Sequence, residues 1–556
     1  MARGHSEEVQ GSERQRASGH TRRTWPGNAG TGRRRGRTLV VALAVAATGL
    51  PTAAAMAGTA PSEPAGELSD DPIRVAIPAD SGGTDPVAGA TGPPSNPMRG
   101  NVVEMLFRSG RGSEIEPWLV DSYELSDDQL EYTMTLRDGV LFHDGTPLTA
   151  EAVKWSLERA ADEQFAGFST GLATDPIASI EVVDDLTFVI TVSEPTPDLE
   201  GRLATIASGI LSPAGAEEAP NNYEAYVAPV STGPYRFVER VPDERFVFER
   251  FGDYWGGAPY FAAQEWMIVP EAATRESLVL AGDADAAVSP PLADLSALDS
   301  NESVQVLNEP TARLIAIQMN VQDPAFSDIR VREALNLAVD KQAIIDTVMF
   351  GTGDVAASTV ANAIDPTCEA PGPWPYDPER AQALLDEAGA DLSVTITTPG
   401  GRYVQDAEAA NAVAAYLREV GVDAGVEVVD TARFFEILAT PLENVGSRLL
   451  LTGSAPAYAD GGFALAGFVP EGFPPAGTNY SFVDSDLVTE SYEAADALLG
   501  DDRQAAFCET AVLIWEEIPS VYLWTQRFPV IAAADLTGIA VEFDERLDVV
   551  GAQSDA

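Results

Sequence analysis

The feature that most restricts how this chain can fold is its alternation between short strand patterns and amphipathic helix patterns, with no repeating period. Apolar side chains occupy every second position in residues 130–136, as in a strand that buries one face. Thr149 then has the position and side chain of a helix N-cap, and Val153 and Leu157 follow with the spacing of one helix face. Strands and helices that alternate in this way predict an α/β fold built around central sheets.

The second half of the chain is richer in helix patterns but keeps the same alternation. Residues 393–397 and 426–429 have strand patterns on either side of a predicted helix at residues 407–420. Asp328 and Asp377 are placed to cap two further helices, and a proline follows Asp377 at the first helical position, where proline is favoured. Nothing in this region marks a linker between independent domains.

The first 57 residues differ in character from the rest of the chain. They contain nine arginines, and an apolar run at residues 39–50 leads to the small-residue sequence Ala55-Met56-Ala57. These features predict a secretory signal peptide at residues 1–57, with a retained N-terminal anchor as the alternative. No cysteine follows the apolar run, so a lipid anchor is not supported, and residues 58–71 are predicted to form a disordered linker. We therefore expect an exported protein on the extracellular or periplasmic side of the cell membrane.

The chain is strongly acidic, with a formal net charge of −52 at pH 7 from 34 basic and 86 acidic residues. The negative electrostatic field of such a chain repels nucleic acids and anionic membrane surfaces, which excludes both as binding partners. The charge could also favour cationic ligands. Charge that is spread over a whole surface is more typical of a protein that is kept soluble by it, and we favour that interpretation.

Two cysteines, Cys368 and Cys508, lie in the part of the chain that would be exported, where thiols oxidise. Only one intramolecular pairing is possible, and we predict a disulfide, with two buried thiols as the alternative. On a chain-entropy model, a bond that closes a loop of about 140 residues would stabilise the protein by roughly 4–5 kcal/mol.

The residues that most enzymes need are absent or scattered. His143 is the only histidine after the predicted signal peptide, and with two distant cysteines it cannot form a common zinc site. The sequence contains neither a G-x-S-x-G nucleophile elbow nor a phosphate-binding P-loop. Paired carboxylates for glycoside hydrolysis stay open, because acidic residues are too abundant to be informative. We therefore predict a protein without enzymatic activity, cofactor or metal.

Four ordered blocks of sequence resemble one known family. They are EPWLVDSY at residues 116–123 with LEYTMTLRDGVLFHDGTPLTAEAVKWSLERA at 130–160, STGPYRFVERVPDERFVFERFGDYWGGAPYF at 231–261, LIAIQMNVQDPAFSDIRVREALNLAVDKQAIIDTVMFG at 314–351, and YDPERAQALLDEAG at 376–389. Their order and motifs are similar to those of the extracellular solute-binding proteins of peptide and nickel ABC importers, known as family 5. Gly139, Gly145 and Gly233 in these blocks are predicted to allow turns with positive φ or a close approach of the backbone.

The resemblance implies a two-lobed periplasmic-binding-protein-like fold of class II, in which two α/β lobes close over a ligand about a hinge. Lobe one would consist of residues 72–112, 230–308 and 523–556, with an accessory subdomain at residues 113–229. Lobe two would consist of residues 309–522.

The resemblance also implies a function and partners. The protein would be the substrate-binding subunit of an ABC importer, and it would capture a peptide, a peptide-like solute or another small molecule. It would act as a monomer and deliver the ligand to ABC permease subunits in the membrane. A stand-alone extracellular sensor or scavenger on the same fold is the alternative, and a secreted hydrolase is a remote one.

The resemblance places one group of ligand-binding residues at the amine end of a bound peptide. Relatives hold the peptide amine with the first Asp of a W-x-x-D-x-x-D-P segment, which corresponds to residues 454–461 here. Ala457 replaces that acid, whereas Tyr458 and the second acid, Asp460, are candidates for ligand contact. A methyl group cannot offset the burial of an ammonium group, so the substitution argues against ordinary peptide binding.

At the carboxylate end, the resemblance points to Arg402 and Tyr403, which follow the strand after the fourth block, and a solvated loop arginine is the alternative. Arginine can grip a carboxylate with two hydrogen bonds. Further candidates are Asn479 and Tyr480 in a segment similar to G-S-N-Y-S, Asn320 at a strand end, and Arg108 in the first cleft loop. Arg402 and Arg108, together with the loss of the amine-binding acid, predict an anionic ligand rather than a zwitterionic peptide.

Overall fold

The computed structural model describes residues 68–80, 83–87, 97–110, 114–162, 165, 168–217, 228–361 and 368–554, which belong to one compact unit that runs from Ala55 to Ala556. The predicted signal peptide and residues 58–67 of the predicted linker lie outside the described residues. Within the described ranges, no helix combines the length and the apolar composition needed to cross a membrane.

Strands and helices alternate along the chain. The strands are β1 (Pro72–Ile77), β2 (Phe107–Ser109), β3 (Ile115–Pro117), β4 (Val120–Leu125), β5 (Glu131–Leu136), β6 (Ile177–Val182), β7 (Thr187–Val192), β8 (Tyr235–Val241), β9 (Arg245–Arg250), β10 (Ala263–Ile268), β11 (Ala286–Val288), β12 (Val304–Met319), β13 (Gly353–Val355), β14 (Ser393–Pro399), β15 (Asp423–Val429), β16 (Arg448–Ser454), β17 (Ser520–Ala533), β18 (Leu536–Thr537), β19 (Ala540–Val541), β20 (Leu547–Asp548) and β21 (Gln553–Ser554). The helices are α1 (Ala150–Ala160), α2 (Phe168–Thr174), α3 (Leu199–Arg202), α4 (Pro213–Glu217), α5 (Ala272–Ala281), α6 (Leu295–Asp299), α7 (Ile329–Leu337), α8 (Lys341–Thr347), α9 (Pro378–Ala388), α10 (Asp406–Glu419), α11 (Thr431–Leu438), α12 (Gly461–Leu465), α13 (Asp486–Asp496) and α14 (Gly500–Glu517). The predicted α/β class is confirmed.

Helix caps that are visible in the sequence set where several helices begin. The side chains of Thr149, Asp328 and Asp377 each accept a hydrogen bond from a backbone N–H in the first turn of α1, α7 and α9. The three predicted caps are thus confirmed. α9 ends at Gly389, whose φ of 62° is a left-handed conformation that glycine adopts without steric cost. The predicted helix at residues 407–420 is α10, one residue earlier at each end.

Glycines in the family blocks have the two predicted uses. Gly139 and Gly145 have φ angles of 78° and 81°, which a residue with a Cβ adopts only under strain. Gly233 instead allows a close approach, since a Cβ there would lie 2.6 Å from the carbonyl oxygens of Asn101 and Val102.

One eleven-stranded sheet runs through the described residues, with the order β15-β14-β16-β12-β17-β11-β1-β10-β9-β8 and with β13 beside β17. β14 pairs in parallel with β15 and β16, and β1 pairs in parallel with β10 and β11. Parallel neighbours need a crossover connection, which α10 provides between β14 and β15. The sheet therefore has two halves with parallel centres, and these halves meet at β12 and β17.

β12 and β17 run through both halves of the sheet. Residues 304–310 pair with residues 527–533 in one half, and residues 314–318 pair with residues 520–525 in the other. The register shifts between Pro310 and Leu314. The irregular part of this strand pair therefore lies where the chain passes from one half of the sheet to the other.

Each half of the sheet has its own apolar core. One core contains Leu335, Leu384 and Val413 of helices α7, α9 and α10, packed with residues of β14 and β16. The core of the other half contains Phe246 and Trp266 of β9 and β10. A separate four-stranded sheet, of order β4-β5-β7-β6, packs with α1 around a third core. Separate cores of this kind are the physical basis of two α/β lobes with an added small sheet.

Cys368 and Cys508 are joined by a disulfide, and their Cα atoms lie 5.3 Å apart. Cys508 lies in the middle of α14, and the two cysteines are separated by 140 positions in the chain. The bond therefore ties two distant parts of the chain together.

Candidate functional site

A cavity of about 860 Å³ is lined by strands of one half of the central sheet and by segments that lie outside the sheet, and we call it the cleft. Its lining includes residues of β12, β16 and β17, the loop after β14, some of the residues between 455 and 480, α11 and α13, as well as Arg99, residues 205–207, Asp544 and Arg546. A cavity of this volume with a mixed apolar and polar lining is typical of a site for a small molecule.

Arg402 is displayed by a tight loop directly after β14. The backbone N–H groups of Gly401, Arg402 and Tyr403 donate hydrogen bonds of 3.0, 3.0 and 3.1 Å to the carboxylate of Asp406. Asp406 is buried, and Gly401 has a φ of 82°, so the loop needs both residues to keep its shape. The loop thus fixes the point from which the Arg402 side chain enters the cleft.

The Arg402 guanidinium lies beside two aromatic rings, and the residue is exposed. Its Cζ lies 4.8 Å from the ring centroid of Phe435 and 5.5 Å from that of Tyr403, both within cation–π distance. Nε also lies 3.4 Å from the Tyr403 hydroxyl. No carboxylate of the described residues lies within ion-pair distance of Arg402.

Arg313 also lines the cleft but is fully paired. It lies on β12 within the stretch where the register shifts, between Pro310 and Leu314, and its Nε and Nη2 donate to the two carboxylate oxygens of Glu545, each at 2.7 Å. Gln526 on β17 donates to the same carboxylate at 2.6 Å. Burial opposes the charge of Arg313, but the attraction of Glu545 outweighs it and raises the pKa of Arg313.

The two remaining arginines of the lining share one acid. Arg99 Nη1 lies 2.5 Å from Asp544 Oδ2, and Arg546 Nε lies 3.9 Å from Asp544 Oδ1. Arg99 also donates to the carbonyl of Ala204 at 3.1 Å. Within the described lining of the cleft, Arg402 is therefore the arginine whose charge no carboxylate offsets.

Tyr403 and Tyr480 line the cleft next to Arg402, as the sequence predicts for both. Tyr403 is 8% exposed, and its ring packs so closely on β16 that a Cβ at Gly453 would lie 2.7 Å from its Cε1. Burial raises the pKa of Tyr480 to about 12, so its hydroxyl is protonated at neutral pH and can donate a hydrogen bond.

Tyr458 and Asp460, two other sequence candidates, lie outside the lining of the cleft. Tyr458 is fully buried, and its hydroxyl donates to the carboxylate of Asp198. Asp460 caps α12 by accepting from the backbone N–H of Phe463 at 2.8 Å and forms an ion pair with Arg503. Ala457, in the same segment, does line the cleft.

Asn479, Asn320 and Arg108 also lie outside the lining. The buried side chain of Asn479 bonds the backbone of Val469 and Val483 and so holds its own loop together. Asn320 accepts from the backbone N–H of Gln322 at 3.2 Å, and Arg108 forms an ion pair with Glu116 over the ring of Trp118. These three residues, like Tyr458 and Asp460, have internal partners, and the structure does not bring them together with Arg402 in the lining of the cleft.

Sequence reasoning missed Arg313, Arg99 and Phe435. Arg313 lies where the pairing register between β12 and β17 shifts. The sequence around Arg313 does not indicate this shift, because the shift depends on pairing with a distant strand. Arg99 lies in a loop without a recognisable motif. Phe435 had one available signal, because it falls on the otherwise polar face of a short amphipathic helix.

Comparison with known proteins decides the family. The model of bacterial extracellular solute-binding proteins, family 5 Middle, matches residues 114–499. The chain belongs to this family. The glutathione-binding protein GsiB of Pectobacterium atrosepticum is 33% identical over 450 residues, which covers 78% of this chain and 85% of that protein. The GsiB protein of Escherichia coli is 29% identical over 440 residues, with the same coverage.

Solved structures of other bacterial proteins have the same fold. HbpA2 of Haemophilus parasuis superposes with a TM-score of 0.75 at 23% identity and covers 87% of this chain and 100% of its own. The periplasmic binding protein DppA of Helicobacter pylori, in complex with the peptide STSA, has a TM-score of 0.72 at 23% identity and covers 88% of this chain and 99% of its own.

Family membership confirms the predicted two-lobed periplasmic-binding-protein-like fold and the main functional prediction. This member of family 5 is the solute-binding subunit of an ABC importer, and it acts outside the cytoplasmic membrane. The cleft between its two α/β halves is accordingly the candidate site for the solute.

Proposed function

We propose that this family 5 protein captures a small peptide or peptide-like solute by a free carboxylate, which Arg402 binds, and delivers it to ABC permease subunits. One observation carries the proposal: among the described lining residues, Arg313, Arg99 and Arg546 have carboxylate partners and Arg402 has none. A guanidinium that lies beside two rings and is open to the cleft can form two parallel hydrogen bonds with a carboxylate.

The cleft has no acid at the position that the family pattern reserves for binding the amine of the solute. Ala457 lines the cleft at that position and offers only a methyl group. A desolvated ammonium beside Ala457 would be unfavourable, because nothing there replaces its hydrogen bonds to water. A solute whose charge is mainly anionic, or whose amine lies away from residue 457, fits this lining best.

Glutathione is the first solute to test. The curated relatives at 29–33% identity are glutathione-binding proteins, and glutathione is a small peptide with two free carboxylates. Its amine belongs to the γ-glutamyl residue, which is linked through its side chain. The amine therefore does not occupy the place of the N-terminal amine of an ordinary peptide.

We further propose that closure about β12 and β17 encloses the solute. We divide the chain into lobe one (residues 72–112, 230–308 and 523–556), an accessory subdomain (113–229) and lobe two (309–522), and the two halves of the central sheet and the separate small sheet support this division. A register shift between Pro310 and Leu314 supplies an irregular strand segment that can absorb a change in angle. Closure is favourable only if the solute contacts the closed form better than the open form.

Export and partners complete the proposal. Residues 1–57 are removed as a signal peptide, and the mature protein works as a monomer without enzymatic activity, cofactor or resident metal. The strongly acidic composition supports function in solution, because it keeps copies of the protein apart and away from anionic lipid.

Isothermal titration calorimetry on the mature protein tests the proposal with glutathione, trialanine and the C-terminal amide of each. We expect at least one free acid to bind, its amide to bind much more weakly, and Arg402→Ala to remove this preference for the free acid. Arg433→Ala is a matched control, because Arg433 is an exposed arginine on α11 that pairs with Glu436 outside the cleft. Equal binding of acid and amide to the parent protein would contradict the carboxylate anchor.

A further inference from the structure

Phe435 lies on the face of α11 that is directed away from the core. Phe434, Ile437 and Leu438 of the same helix are buried, whereas Phe435 is 49% exposed and lines the cleft. Core packing therefore does not explain an aromatic ring at this position of an amphipathic helix.

The ring of Phe435 instead has a specific neighbour. Arg402 Cζ lies 4.8 Å from the centre of the ring, closer than it lies to the ring of Tyr403. A free arginine side chain samples many rotamers, and fixing it costs conformational entropy when a ligand binds. Two rings that hold the guanidinium before the solute arrives reduce that cost.

The two rings differ in how firmly they are fixed. Tyr403 packs against β16 and also lies 5.7 Å from the guanidinium of Arg313, so its position is set by the core and by the paired arginine. Phe435 is half exposed and belongs to no buried cluster of the described residues. Its ring can therefore be removed without opening a cavity in the core.

We infer that Phe435 is a positioning residue: its ring holds the guanidinium of Arg402 in the orientation that binds the solute carboxylate. The inference rests on the proposed function, since Arg402 is there the anchor for the solute. Phe435 acts through Arg402, so its contribution disappears when Arg402 is removed.

A double-mutant cycle with glutathione and trialanine as probes measures this dependence. Phe435→Leu keeps an apolar side chain on α11 but removes the ring, and we expect the affinity for the bound probe to fall about two- to fivefold, the size of an exposed cation–π contact. Phe435→Tyr keeps the ring and should bind nearly as well as the parent protein. In the Arg402→Ala background, Phe435→Leu should have no further effect, and an equal loss there would overturn the inference.

Leu487→Ala is the matched control for a lost exposed side chain. Leu487 is 59% exposed on α13 and lies outside the lining of the cleft, so this substitution should change neither affinity nor unfolding temperature. A fall in the unfolding temperature of Phe435→Leu but not of Leu487→Ala would show that Phe435 supports the fold instead.

A second measurement needs no ligand and separates this inference from the proposed function. Crystal structures of the unliganded parent and of Phe435→Leu should differ at Arg402, whose guanidinium should leave its place over residue 435 or lose its defined position. An unchanged, well-defined guanidinium in Phe435→Leu would overturn the inference even if both probes bind. If neither probe binds the parent protein but Arg402 moves as expected, the proposed solute is wrong and the positioning role stands.

Discussion

The hydroxyl of Tyr458 donates a hydrogen bond to the carboxylate of Asp198, across 260 positions of sequence. Tyr458 follows β16, in the segment that we assign to lobe two, whereas Asp198 immediately precedes α3 in the accessory subdomain. The ring of Tyr458 also packs on the backbone of α3, since a Cβ at Gly201 would overlap it. Burial and the carboxylate of Asp198 raise the pKa of Tyr458 far above its usual value, so the hydroxyl keeps its proton at any physiological pH.

Tyr458→Phe is expected to weaken the contact between lobe two and the accessory subdomain, and thereby the closed form of the protein. A hydrogen bond to a charged group contributes about 1.5–3 kcal/mol, and Asp198 keeps its second partner, Arg202 at 2.9 Å, so the carboxylate is not left unpaired. Release of every bound solute should become about tenfold faster or more, whatever the solute is. Stopped-flow release of glutathione or trialanine tests this, with Tyr376→Phe as a control at an exposed site. An unchanged release rate in Tyr458→Phe would show that this contact does not hold the lobes together.

Arg402→Ala and Arg402→Lys should differ in a defined way. The alanine variant loses a charge-assisted contact, which corresponds to about 1.5–3 kcal/mol of binding free energy. Lysine restores the charge but cannot present two parallel N–H groups, so it should recover only part of the affinity. Titration calorimetry with the free-acid probes gives both values, and full recovery by lysine would argue against a bidentate contact.

Ala457→Asp should shift the preference of the cleft towards peptides with a free amine. The new carboxylate would stand in the lining at the position of the amine-binding acid of relatives, where it can pair with an ammonium group and repel an anion. We expect trialanine to gain affinity relative to N-acetyl-trialanine, and a predominantly anionic solute to lose it. Ala457→Asn controls for size, since it adds a similar volume without charge. No difference between Asp and Asn would mean that the solute amine lies elsewhere.

Removal of the disulfide should lower stability without changing the fold. The bond joins residues 140 apart, and on an entropic model closing a loop of this length lowers the entropy of the unfolded chain and so stabilises the fold by about 4–5 kcal/mol. The double variant Cys368→Ser/Cys508→Ser should therefore unfold at lower urea concentration than the parent protein. Reduction of the parent protein should produce the same shift, and thiol titration of the unfolded, unreduced protein should detect no free thiol. Two reactive thiols in that sample would contradict the bond.

His143 should make stability depend on pH in the acidic range. Its Nε2 lies 2.9 Å from the carbonyl of Gly233 and its Nδ1 accepts from the backbone N–H of Ser231 at 3.3 Å, so the ring is neutral in the folded protein. Burial lowers the pKa of His143 to about 4, below its ordinary value in an unfolded chain. The neutral ring therefore contributes stability above about pH 6.5, and this contribution of about 3 kcal/mol is lost as the pH falls towards 4.

Urea unfolding of the parent protein and of His143→Gln at pH 7.5 and pH 4.5 measures that contribution. Glutamine can donate to Gly233 but does not titrate, so its free energy of unfolding should fall less on acidification. Equal losses in both proteins would assign the acid sensitivity to carboxylates rather than to His143.

Much of the fold could be predicted because its signals are local. Thr149, Asp328 and Asp377 cap their helices by hydrogen bonds within three residues along the chain, and Gly139 needs only its own positive φ. Alternating apolar residues predicted β5 because one face of that strand is buried. The ordered blocks were sufficient to predict the family, since each block combines several such local signals.

The candidate site could be predicted only in part. Arg402 and Tyr403 were predicted from the family resemblance, and both line the cleft, where their place in the loop is set by Asp406 three to four residues later. Tyr458 and Asp460 belong to the same motif-like segment as Ala457 but face internal partners. A motif identifies the segment near a ligand, but it does not reveal which of its side chains point into the cavity.

The sequence by itself determined the family, the α/β class, the helix caps and the replacement of an amine-binding acid by Ala457. The tertiary structure alone decided which arginine is free to bind a solute. Arg313 and Arg402 are equally charged in the sequence, but Glu545, 232 positions after Arg313, takes up the charge of the first, whereas Arg402 has only rings beside it. Such pairing depends on contacts between distant parts of the chain, and local sequence signals do not encode which charges meet.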